Sequence, residues 1–308
     1  MLVGAGGQYV QTSFNDEAEI ERVVQEYADL LFGSASIYLP KTKISTTAGK
    51  ATVPDGYAID LEGEEWYIVE AERGVHGTWD HIAPQVSKQL TAVSNATSLS
   101  VILHLALKQI DESAELRALL KELGLKDLSV HGEIERILKK PPNVAIPIDE
   151  VPADLLEWAR TLKTPVRVWE IQKYVREGSG EVLYRLPEDA RPTLEIGAGA
   201  VVVSGGSRPK GSSYWPRVLK HGLFKVGDEL YLDYGPKGSK KERFKGIVRP
   251  DGIEIEGKTF SPSYAAVLCM KRVGSKRRTA NGWIMWRTTE GRLIDELASQ
   301  LVDEDGAP

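Results

Sequence analysis

Apolar residues in the segment 16–32 recur at Ile20, Val23, Val24, Tyr27, Leu30 and Leu31. This 3.6-residue stripe predicts an amphipathic helix, capped at Asn15 or Asp16 and ended by Gly33. Two β-prone runs, VPDGYAIDL and WYIVEAE, flank a polar turn around Gly63, which predicts a hairpin. Residues 84–95 read as a helix with Pro84 in its first turn. The apolar run SLSVILHLA predicts a buried strand, and ESAELRALLKELG a helix closing at Gly124. NVAIP, the helix DLLEWARTL, and the segments VRVWEIQKY and EVLYRLP complete an α/β unit over residues 1–187, a mixed sheet flanked by helices.

Residues 188–213 change character, being rich in Gly, Ser and Pro, and read as a linker with one short strand at GAVVV. Beyond it, YWPRVLKHGLF predicts a short helix, and DELYLDY, RFKGIVRPDG and GIEIEGKTF predict β segments. SPSYAAVLCMKRV reads as a helix, and GWIMWRTTEGRLIDELASQL as a strand leading into a helix. Together these form a small α+β domain over residues 214–303, followed by an acidic tail at 304–308.

A chain of 308 residues accommodates two such domains. The formal net charge of −5 conceals an asymmetry. Residues 211–300 carry a balance of about +7, whereas residues 1–210 carry about −9. A basic C-terminal half points to a polyanionic partner, and an acidic N-terminal half to a different task. The lone Cys269 excludes an internal disulfide and a zinc knuckle. No apolar run reaches the roughly 20 residues of a membrane span, and the N-terminus has no secretory pattern, so a cytoplasmic protein with no membrane partner is expected.

Candidate chemistry begins with three acids among apolar neighbours. Asp55 opens the predicted hairpin, and Glu70 and Glu72 lie two apart on its returning strand, hence on one face. Grouped carboxylates repel unless a cation neutralises them, and an all-oxygen set suits a hard ion such as Mg²⁺ (or Mn²⁺), which activates water and stabilises a phosphate under attack. Gln85 and Gln89 are one helical turn apart and can face the same point. His76 and His81 frame the preceding loop; His81 is a candidate phosphate ligand or general base. His104, His131 and His221 lack zinc-ligand spacing.

The order Glu26, Pro54-Asp55, Glu70-Ala71-Glu72, then Gln85 and Gln89 resembles the PD-(D/E)xK nuclease superfamily over roughly residues 14–187. The resemblance implies an αβββαβ core in which Asp55, Glu70 and the backbone carbonyl of Ala71 bind the metal. Glu26 would approach from the first helix, and Glu72, Gln85 and Gln89 would complete the catalytic set. Glu72 stands where the family has its usual lysine, which leaves Lys50 or Lys88, or a second ion at Glu72, to supply the missing charge.

The pattern HGLFKVGDELYL, GIEIEGKTFSPSYAA and NGWIMWRTTEGRLIDEL resembles the RAMA domain, associated with restriction and adenine-methylase systems. It departs from that family in a longer basic insertion, KRVGSKRRTANG. The resemblance implies a module that recognises modified DNA, with Phe260, Ser261, Ser263, Trp283 and Trp286 at the modified-base site. Trp215 joins them as an aromatic among basic residues, and Lys276, Arg277 and Arg278 form a loop suited to phosphate. Ser261 also reads as a helix N-cap.

The combined expectation is a Mg²⁺-dependent, modification-dependent restriction endonuclease. It would act on double-stranded, base-modified DNA, with a homodimer expected for double-strand cutting. The alternatives are a non-catalytic DNA-binding protein, a repair-type nuclease that reads no modification, and an adaptor whose basic domain binds protein.

Overall fold

A computed structural model describes residues 2–4, 7–125, 127–187, 201–204, 214–236 and 240–299. They fall into two compact units: Met1–Ala114 with Leu128–Gly206, and Glu115–Asp127 with Ser207–Pro308. Both units are of mixed α/β composition. Among the described residues, no single helix is long and apolar enough to cross a membrane.

The first unit opens with strands β1 (Leu2–Gly4) and β2 (Gly7–Thr12). Helix α1 (Glu17–Glu26) starts where Asp16 accepts the N–H of Glu19. The predicted single helix breaks at Tyr27, after which α2 (Ala28–Leu31) completes the segment. Strands β3 (Ser36–Pro40), β4 (Ile44–Ser45) and β5 (Ala51–Thr52) follow. The expected hairpin is β6 (Gly56–Asp60) and β7 (Glu65–Val69), paired Gly56 to Val69. A π-helical turn at Thr78–Ile82 leads into α3 (Ala83–Val93).

SLSVILHLA is not a strand. It lies in α4 (Ala96–Glu112), whose buried residues Ser98, Ile102, Ala106 and Ile110 repeat every four positions. Asn95 caps this helix by accepting the Thr97 N–H. A continuous apolar run does not distinguish a strand from a helix lying on a core, and here the cap and the four-residue period decide.

Helix α5 (Ala114–Glu122) crosses into the second unit, and α6 (Asp127–Leu138) returns to the first. Next come β8 (Asn143–Ile148), α7 (Ala153–Ala159) and β9 (Val166–Glu170). VRVWEIQKY divides at Ile171, so that β10 (Gln172–Arg176) leaves the sheet of β9 and pairs with β2 and β11 (Val182–Arg185). Of the expected linker, only β12 (Val201–Ser204) lies within the described residues, where it pairs with β9 in parallel.

The main sheet runs β12-β9-β8-β7-β6-β3. The four strands from β12 to β7 are parallel, and β6 and β3 are antiparallel additions. Strand β8 is buried along its whole length, as a central parallel strand must be. Its alternation sorts the core: Ala145 packs with Tyr67, Val69 and residues of α1, while Val144, Ile146 and Ile148 pack with α3 and α7.

The second unit contains α8 (Tyr214–Lys220), β13 (Glu229–Tyr234), β14 (Glu242–Arg249), β15 (Gly252–Ile255), β16 (Lys258–Phe260) and α9 (Pro262–Arg272). A 3₁₀ turn at Gly282–Ile284, rather than the expected strand, precedes β17 (Arg287–Thr288) and α10 (Ile294–Ser299). The sheet order is β16-β15-β14-β13-β17, antiparallel throughout. Glu122 of α5 is held in this unit by Tyr234, by Ser275 at 2.8 Å and by Arg277 at 3.0 Å.

Candidate functional site

Asp55, Glu70 and Glu72 cluster at one end of the main sheet because β6 begins and β7 ends there. Beyond Val69 the ladder with β8 continues: Glu70 N–H donates to Ala145 O at 3.0 Å and Glu72 N–H to Pro147 O at 2.9 Å. The alternation that turns Val69 and Ala71 towards the α1 core turns Glu70 and Glu72 the other way. The N–H of Ala71 donates to Asp55 Oδ2 at 2.9 Å, which fixes Asp55 beside the Glu70-Ala71 peptide.

Glu70 is 3% exposed and accepts Nε2 of Gln89 at 2.5 Å. Gln89 is itself buried, and among the described residues its Oε1 has no hydrogen-bond donor. Burial, reinforced by the charge of Asp55, pushes the Glu70 carboxyl up to about 8 against the pull of Gln89. Burial likewise raises Asp55, opposed by Lys41 and the Ala71 N–H. Glu72, 1% exposed, is raised well above the carboxylate range by burial and then by the charges of Glu17 and Glu70.

Lys41 brings a cation to this cluster. It follows Pro40, which pairs with Gly56, so it lies next to Asp55 across the β3–β6 ladder. Its Nζ is 2.9 Å from Asp55 Oδ1 and 2.8 Å from Glu21 Oε1. Lys50 and Lys88, the residues expected to supply it, are exposed. The signal for Lys41 was register: only pairing β3 with β6 brings residue 41 to residue 55.

The first helix reaches the cluster through Glu17 and Glu21, not Glu26. Glu26 is exposed at the far end of α1, about two and a half turns beyond Glu17. Glu17 Oε1 is 2.5 Å from His76 Nδ1, and Glu72 Oε2 is 3.1 Å from the same nitrogen. His81 Nε2 lies 3.6 Å from Glu72 Oε1 and 3.0 Å from Gln85 Nε2. The two glutamines therefore serve different halves, Gln89 at Glu70 and Gln85 at His81. Glu19, also on α1, has a structural role. It accepts from Asn15 N–H, Lys173 and Tyr184, and although burial works against it, these partners hold it below the ordinary range.

In the second unit, most of the expected base-binding residues are core. Trp215, Trp283 and Trp286 are buried among Val218, Phe224, Leu230 and Ala266. Trp215 Nε1 donates to Arg249 O at 2.7 Å, and Trp286 Nε1 to Pro262 O at 3.0 Å. Ser263 is buried and accepts the Gly282 N–H at 3.1 Å, and Ser261 caps α9 by accepting from Tyr264 N–H. A Cβ on Gly282 would stand 2.1 Å from Pro262 O, so this close approach requires glycine. The TF-SPS-AA and NGW-W elements thus lock the start of α9 to the 3₁₀ turn. Arg277 is buried against Glu122 and is not a surface phosphate ligand.

What remains on the surface is a narrower set. Half-buried Phe260 packs against Tyr264, which is 51% exposed, with ring centroids 5.4 Å apart. A shallow depression of about 470 Å³ beside Phe260 is bordered by Lys258, Leu268, Lys271 and Arg272. Lys276 and Arg278 are exposed.

Compared with known proteins, the chain matches no family model, no curated protein and no solved structure.

Proposed function

We propose that the first unit is a metal-dependent DNA nuclease of the PD-(D/E)xK type and that the second unit contacts the DNA. The observation that carries this reading is the convergence of Asp55, Glu70 and Glu72 at the end of the main sheet, with burial holding all three carboxyls above their ordinary range. A divalent ion would displace the protons that burial holds on Glu70 and Glu72 and make the charged cluster stable. Asp55, Glu70 and the Ala71 carbonyl would hold Mg²⁺ or Mn²⁺, whose chemistry is to activate water and neutralise charge on the phosphate. Lys41 orients Asp55 and brings the positive charge that the family places at the position of Glu72. Gln89 fixes the Glu70 carboxylate.

The DNA-contacting role of the second unit is supported by its basic balance and by the exposed Tyr264, Lys276 and Arg278. The sequence pattern extends this to a restriction role against DNA with a modified base. With the tryptophans in the core, Phe260 and Tyr264 are the aromatic pair positioned to meet a base.

The test incubates the full-length protein and Mg²⁺ with phage DNAs carrying different base modifications, beside unmodified DNA. Cutting confined to one modified DNA supports the restriction reading. Equal cutting of all DNAs leaves a nuclease that reads no modification. Binding without cutting under any divalent ion favours a non-catalytic DNA-binding protein.

A further inference from the structure

We infer that Glu17, Glu72, His76 and His81 form a second divalent-metal site, one that takes a transition ion such as Zn²⁺, Mn²⁺ or Co²⁺ in preference to Mg²⁺ or Ca²⁺. This goes beyond the hydrolytic reading and stands whether or not the chain cuts DNA. The four residues come from separate pieces of the unit: the first turn of α1, the extension of β7, the loop after it, and the π-helical turn. Each offers one ligand atom, and these atoms all lie within 4.8 Å of one another. Donors bound about 2.0–2.2 Å from a shared ion stand roughly 3–4 Å apart, so small side-chain movements close the site.

Charge gives an independent reason. Lys41 bonds Asp55 and Glu21 and therefore serves the other half of the cluster. In the Glu17–Glu72 half, the two imidazoles have ring centroids 4.8 Å apart and converge on one buried carboxylate. Among the described residues no lysine or arginine is paired with Glu17 or Glu72. A bound divalent ion would bring positive charge to these carboxylates, because imidazole nitrogens and carboxylate oxygens all serve as its ligands. Two nitrogens in a set of four also decide the class of ion: borderline transition metals accept imidazole, whereas Mg²⁺ and Ca²⁺ favour all-oxygen sets. Gln85 holds the His81 nitrogen at 3.0 Å, and entry of the ion exchanges that hydrogen bond for coordination. The bound ion would tie α1 to the loop and π-helical turn that carry the exposed Val75 and Trp79.

The experiment strips the full-length protein with chelator, dialyses it, and titrates it with Co²⁺ in the absence of DNA. The expected result is one Co²⁺ per chain that resists about a hundredfold excess of Mg²⁺, with visible d–d absorption, and is displaced by Zn²⁺. Affinity falls at least about tenfold in His76→Ala and His81→Ala. Glu17→Gln, half-exposed and conservative, shows the same fall and carries the test should a histidine variant fail to fold. Asp55→Asn keeps the Co²⁺ spectrum while losing cleavage, so failure of this site and failure of the nuclease reading are told apart. The inference is overturned if no d–d spectrum develops, if Mg²⁺ displaces the ion, or if binding is unchanged in the folded variants.

Discussion

Replacing Glu70 with glutamine should stabilise the metal-free protein while destroying its proposed activity. Glu70 is 3% exposed, and burial with the Asp55 charge lifts its carboxyl to about 8 from an ordinary value of 4.5. A carboxyl raised in the folded state favours folding below about pH 4.5, and that contribution is lost as pH rises through 8. At pH 7 the unfolded chain has released this proton and the folded chain has largely kept it, at a cost of about 3 kcal/mol. The amide introduced by Glu70→Gln carries no such cost and can still accept from Gln89. For a unit of this size, about 3 kcal/mol corresponds to roughly 6–12 °C in melting temperature. The assay is thermal unfolding in chelator at pH 5, 7 and 8.5. Wild type should fall steeply across that range and Glu70→Gln less, since the raised Glu72 and Asp55 carboxyls remain, with the two curves closest at pH 5. Mg²⁺ should raise the wild-type midpoint and leave the variant nearly unmoved. Equal midpoints at pH 8.5, or a variant less stable than wild type there, would refute the assignment of a buried, destabilised carboxylate.

Lys41→Met removes the cation that opposes the raised Asp55 carboxyl, so the rising limb of the pH–cleavage profile should move to higher pH; an unmoved profile would exclude Lys41 from the site. Trp286→Ala should cost about 3–5 kcal/mol by emptying a fully buried position. Its DNA binding, measured on the folded fraction, should stay near wild type, and a selective loss of binding without destabilisation would return Trp286 to a recognition role. The Lys276→Ala, Arg278→Ala double variant should weaken DNA binding about equally across sequences and flatten its salt dependence by about two phosphate contacts. An unchanged salt slope would remove this loop from the interface.

Some of the site was legible from local pattern and some was not. The hairpin, the pairing of Asp55 with the Glu70 segment and the shared face of Glu70 and Glu72 follow from period-two alternation and a polar turn. Gln89 follows from helical periodicity. Lys41 and Glu17 could not be read this way, because their places depend on the β3–β6 register and on the angle at which α1 meets the sheet. Glu26 was the wrong acid on the right helix, since a degenerate spacing does not say which turn reaches the sheet end. In the second unit the conspicuous aromatics and serines pointed to recognition, but a small antiparallel sheet fills its interior with just such residues. Trp286 Nε1 finds Pro262 O and Ser263 finds Gly282 N–H, so polar handles that suggest a ligand are satisfied within the core.

The most direct test of the central claim is a cleavage assay on duplex DNA with wild type, Asp55→Asn and Glu70→Gln, each in Mg²⁺, in Mn²⁺ and in chelator. Cutting by wild type should require a divalent ion and be lost in both variants, while their folding and DNA binding persist. Cutting that continues in Asp55→Asn and Glu70→Gln, or that ignores the chelator, would contradict that claim.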